Sequence, residues 1–71
     1  MSERTDAIRG LLTDQWQYTM DIADVCLELG YSTNLNYAKR EIHRLYHMLE
    51  KYGLAEKATD EDGHSMWRLT E

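Results

Sequence analysis

Apolar residues recur at helical spacing in three stretches of this chain, separated by short extended or turn-rich segments, and the pattern predicts three helices and a closing hairpin. Ile8, Leu11 and Leu12 share one face of a first helix that runs to about Gln15. Ser2 is its expected N-cap, and Glu3 and Asp6 suit the positive end of its dipole. Trp16 to Thr19 breaks the period with aromatic and β-branched residues, which predicts a short strand or extended link. Thr19 is then the expected N-cap of a second helix, with Ile22, Val25, Cys26 and Leu29 as its apolar stripe and Gly30 as its left-handed stop.

Tyr31 to Asn36 is rich in turn and capping residues, and Asn36 or Thr33 is the expected cap of a third helix. That helix, Tyr37 to about Tyr52, has the longest period, with Ala38, Ile42, Leu45, Tyr46, Leu49 and Tyr52 on one face and Gly53 as its stop. Leu54 to Thr59 and Ser65 to Thr70 are extended runs about the Asp62-Gly63 pair, a hairpin signal. The predicted fold is mainly α with a small β-hairpin (α+β), three helices plus a two- to three-stranded antiparallel sheet, in one domain spanning 1–71.

Composition supports a packed fold: 42% of the 71 residues are hydrophobic and proline is absent, which is globular and not disordered chemistry. No stretch approaches the roughly 18 consecutive apolar residues of a membrane helix, and the start lacks a basic leader, so the expectation is a cytoplasmic protein with no membrane partner. The single Cys26 falls in an apolar helical pattern and reads as a small buried hydrophobe. Net charge is -5, which opposes a polyanionic partner, but its distribution is uneven. Residues 31–53 hold four basic and two acidic groups, whereas the segments on either side are acidic.

Tyr18-Thr19 before the second helix, Ile22-Ala23 within it, Leu29-Gly30 at its end, then Ile42, Arg44, Leu49-Glu50, Gly53-Leu54 and a closing Trp67-Arg68-Leu69-Thr70 follow an order that resembles the winged helix-turn-helix family of DNA-binding regulators. The resemblance covers nearly the whole chain. It implies a recognition helix over about 36–52, a hairpin wing, and transcription regulation through double-stranded DNA. Three features depart from the family pattern: a longer gap between Gly30 and the third helix, three acids (Asp60, Glu61, Asp62) at the wing tip where Arg or Lys is usual, and an end at Glu71 where many dimeric regulators continue into another helix.

At about 100° per residue, Arg40, Arg44, His47 and Lys51 fall within about 40° of the pole opposite the apolar stripe of the third helix. Asn36, Tyr37 and His43 flank them, and both acids of the helix, Glu41 and Glu50, sit off that pole, which predicts an uninterrupted basic outer face. Arg can fork onto guanine and Asn can pair with adenine in the major groove, so Arg40 and Arg44, with Asn36, Lys39 and His43, are the expected readers. His47 and Lys51, further along, are expected to meet the phosphate backbone. Trp16, Trp67 and Tyr46 are assigned to the core, and strand alternation turns Arg68 outward as the wing residue expected to touch phosphate.

Any amphipathic helix shows polar residues outward, so the stripe alone does not define a partner. The alternative function is a non-catalytic protein-protein interaction module on the same scaffold, its acidic surface meeting a basic protein. Weak homodimerisation through the first helix is a further expectation. No nucleophile stands near a base in a recognised motif, so no enzyme activity and no cofactor are expected. His43 and His47 have a spacing that suits a metal, with His64 or a wing acid as a third ligand, but two exposed histidines read more simply as polar surface and no metal is assigned.

Overall fold

The computed structural model describes residues 3–70 and contains α1 (Glu3–Arg9), β1 (Gln17–Tyr18), α2 (Thr19–Glu28), α3 (Leu35–Lys51), β2 (Ala55–Thr59) and β3 (Ser65–Leu69). The three strands form an antiparallel sheet in the order β1-β3-β2, with Gln17 opposite Trp67 and Lys57 opposite Trp67 from the other side. Three helices and a hairpin joined to a short first strand are the winged-helix layout expected from the chain. No helix of the described residues is long and apolar enough to cross a membrane.

The first helix ends well before Gln15. Gly10 closes it, the amides of Leu11 and Leu12 reach back only three residues to Ile8 and Arg9, and the chain then turns. Gln17 holds that turn: its Oε1 accepts from the Thr13 amide at 2.8 Å and its Nε2 donates to the Leu11 carbonyl at 3.1 Å. Leu12 is still buried, but from the loop. The expected cap Ser2 lies outside the described residues.

Both expected caps of the later helices move. Thr19 is the first helical residue of α2 and Tyr18 its N-cap, because the Thr19 hydroxyl is engaged by β3 instead of by its own helix. Asn34 caps α3, its side chain accepting from the Tyr37 amide at 3.1 Å, so neither Asn36 nor Thr33 has that role. The helix ends agree with expectation. Gly30 and Gly53 have φ of 78° and 76°, and each follows with paired returns, Gly30 N to Leu27 O with Tyr31 N to Cys26 O, and Gly53 N to Glu50 O with Leu54 N to Leu49 O.

Ile8, Leu12, Ile22, Ala23, Cys26, Ala38, Ile42, Leu45, Tyr46, Ala55 and Trp67 form one core. The buried face of α2 is Thr19, Ile22, Ala23 and Cys26, so Val25 and Leu29, expected inside, are exposed. Helix α3 buries Ala38, Ile42, Leu45 and Tyr46 as expected, while Leu49 is half-buried and Tyr52 is 69% exposed. The Tyr46 hydroxyl donates to the Ile8 carbonyl at 2.8 Å, and its ring meets Trp67 edge-on at 5.7 Å, joining α1, α3 and β3. Burial pushes the Cys26 thiol up, which keeps it protonated and inert.

Candidate nucleic-acid interface

Helix α3 packs against α2, α1 and β2, which leaves one arc of it facing solvent. Asn36, Tyr37, Arg40, Arg44, His47 and Lys51 all lie on that arc and are exposed; Lys39 and His43 stand at its β2 edge and are half-buried. Eight of the nine expected contact residues are thus brought onto one continuous surface.

Glu41 is not an off-pole surface acid. It is buried at 6% exposure and takes a bidentate pair from Arg4 on α1, at 2.5 and 2.7 Å, while Arg4 Nε donates to the Tyr31 carbonyl. The Glu41 carboxylate also favours the charged form of Arg4. The outer face therefore carries no charge from Glu41, but it is interrupted near its end by Glu50, whose carboxylate meets His47 Nδ1 at 3.2 Å.

Arg68 lies elsewhere. It stands on the sheet face opposite Trp67, pairs with Glu56 across the β2-β3 ladder, and stacks over the Trp16 ring at 4.6 Å. Both partners hold its guanidinium against the sheet and away from α3. Trp16, expected in the core, is 40% exposed and serves as the platform for Arg68.

Of the eight Lys and Arg residues, Arg4, Arg9 and Arg68 are held by Glu41, Asp6 and Glu56, and the other five, Lys39, Arg40, Arg44, Lys51 and Lys57, form no ion pair among the described residues. Arg40, Arg44 and Lys51 are on the outer arc of α3 and Lys39 stands at its β2 edge. The fifth, Lys57, is on β2 with its Nζ 5.5 Å from the Trp67 ring, on the sheet face that α3 covers. Sequence reasoning overlooked it. Alternation with Ala55 placed it on the inward face, and a lysine at an inward position of an edge strand is the signal that could have found it.

The wing acids do not lie on this surface as freely as composition suggests. Asp60 accepts from the amides of Asp62 and His64, both at 2.9 Å, and from the Tyr18 hydroxyl at 2.9 Å. These bonds, the His64 amide foremost, hold its carboxyl below the usual carboxylate range. They also draw the wing tip toward β1, where Asp60, Asp62 and Asp21 raise the Tyr18 hydroxyl. His43 and His47 do not form a metal pair with a wing group; among the described residues the groups close enough to share a cation are Asp60, Asp62 and His64, with ligand atoms within 4.8 Å of one another.

His43 packs edge-on against Trp67 at 5.7 Å. Burial, and then the charges of Lys57 and Lys39, hold its imidazole below the ordinary histidine range. No protein-family model, curated protein or solved structure matches this chain.

Proposed function

We propose that this protein binds double-stranded DNA through the outer arc of α3, acting as a transcriptional regulator without catalytic activity in the cytoplasm. One observation carries the reading: among the described residues, every Lys or Arg that forms no ion pair lies on α3 or beside it on β2, while those elsewhere are paired. An overall charge of -5 opposes approach to DNA at long range, so a locally positive face supports binding and the acidic remainder orients it. Arg40 and Arg44 with Asn36 at the start of the helix have the donors that base edges accept. Lys39, Lys51 and Lys57 supply phosphate contacts.

Titration of labelled duplex DNA at several salt concentrations tests this. With roughly three to five neutralised phosphates, log K falls against log salt with a slope of about -3 to -4.5. Replacing Arg40 and Arg44 together by Ala weakens binding at least about tenfold. Unchanged binding in that double variant overturns the role given to α3.

A second reading, an interaction module that meets a basic protein, is supported by the exposed Glu61 and Asp62 and by Asp21, Asp24 and Glu28 on the exposed side of α2. It is favoured if neutralising Glu61 and Asp62 abolishes capture of a basic partner that the Arg40 and Arg44 variant still retains.

A further inference from the structure

Trp67 brings two groups together that are far apart in the chain. The His43 ring meets the indole edge-on at 5.7 Å, and the Lys57 Nζ stands 5.5 Å from the centre of the same indole. Lys39 lies one helical turn before His43, on the same edge of α3. Lys39 and Lys57 have no acidic partner among the described residues. Two unneutralised cations held about one imidazole repel each other and any proton that reaches it, and an anion reverses both effects.

We propose that Lys39, His43 and Lys57 form a phosphate site at the seam of α3 and β2, at which binding of the anion is coupled to uptake of a proton by His43. Its identity as a site for a nucleic-acid backbone phosphate rests on the DNA reading above. In the free protein His43 is neutral near pH 7, since half-burial and both lysines disfavour its charge. A phosphate seated between the lysines supplies negative charge at hydrogen-bonding range, and the imidazolium then donates to it. On its own helix His43 also neighbours Arg40, one turn before it, Arg44, the next residue, and His47, one turn after it and bonded to Glu50; β3 presents the Trp67 ring and β2 presents Lys57.

The consequence is that affinity for duplex DNA rises as pH falls, by about tenfold for each unit through which binding lifts the His43 titration.

The test follows the imidazole resonances of the three histidines by NMR from pH 8 to pH 5, in the free protein, with inorganic phosphate and with a short duplex. Lys57→Met is expected to raise the His43 titration in the free protein. Duplex is expected to raise it in the wild type by at least about one unit, and by less in Lys57→Met and Lys39→Met. His43→Phe keeps a ring on Trp67 and is expected to remove most of the pH dependence of duplex affinity. A His43 titration that ignores both Lys57→Met and duplex overturns the site. Duplex binding that is tight but independent of His43 overturns it too and leaves the DNA reading standing. If duplex fails to bind while inorganic phosphate still lifts His43, the anion site stands and the DNA reading fails; a lift by duplex alone assigns the site to the polymer backbone.

Discussion

The indole Nε1 of Trp67 donates to the Thr19 hydroxyl oxygen at 2.9 Å in the interior, and the same hydroxyl lies 2.7 Å from Ser65 Oγ. One side chain at the start of α2 thereby satisfies the only polar atom of the largest buried ring and fastens the helix to the central strand. Thr19→Val has nearly the same volume and leaves the indole N-H without a partner. It is expected to lower stability by about 1–3 kcal/mol, whereas Thr19→Ser keeps the acceptor and costs less. Thermal unfolding followed by circular dichroism checks this, and equal losses in the two variants argue against the bond.

Glu41 and Arg4 give a second expectation. Removing the acid strands a guanidinium against α3, and because Arg4 is 37% exposed the loss of stability expected for Glu41→Gln is well below that of breaking a fully buried pair. The same change adds a net positive charge close to the proposed DNA surface. Urea unfolding and duplex titration of the one variant are therefore expected to move in opposite directions, with lower stability and unchanged or tighter binding.

Arg68→Ala separates the sequence-based expectation from the structural one. Its guanidinium is held by Glu56 and Trp16 on the far face of the sheet. Duplex affinity is expected to change by less than about twofold, against about a tenfold loss for Arg44→Ala. A loss for Arg68→Ala equal to that for Arg44→Ala would return the wing to the interface.

Asp60 is an acid of the turn and not simply of the surface. Asp60→Ala frees the amides of Asp62 and His64 and releases Tyr18, so hydrogen exchange at both amides is expected to quicken. Because its carboxyl titrates below the ordinary value of 3.8 in the fold, its contribution is complete above that value and is lost as pH falls through the lower folded value. Exchange rates that do not change in Asp60→Ala would show that Gly63 alone, at φ 85°, sets the turn.

His43 acts in a different window. The folded imidazole titrates below its ordinary 6.5, so the unfolded chain binds more protons just below that pH. The stability that comes from keeping it neutral is present above 6.5 and declines as pH falls toward the folded value. His43→Phe, which cannot titrate, is expected to flatten the slope of unfolding free energy just below pH 6.5.

Local signals carried most of the elements. Gly30 and Gly53 lie where a left-handed residue must end a helix, Asp62-Gly63 lies in the hairpin turn, and the period of Ala38, Ile42, Leu45 and Tyr46 gives the buried face of α3, because each depends on neighbours a few residues away. The existence of a basic outer arc on α3 was legible for the same reason. Ile22 and Cys26 on the buried side of α2 were legible; where α1 ends, that Val25 and Leu29 stay outside and which residue caps α2 were not, since Gln17, Ser65 and Trp67 act from distant parts of the chain.

The charge pattern shows the division most clearly. Sequence by itself determined that the chain is acidic and that its cations concentrate in the third helix. Only the tertiary structure decided which of those charges are free. Folding buries Glu41 against Arg4, ties Arg68 to Glu56 and turns Lys57 toward Trp67, and each is a contact between side chains that spacing along the chain cannot bring together. Electrostatic interaction depends on distance in space, so an acid can be neutralised, or a cation added to a surface, with no trace in the local pattern.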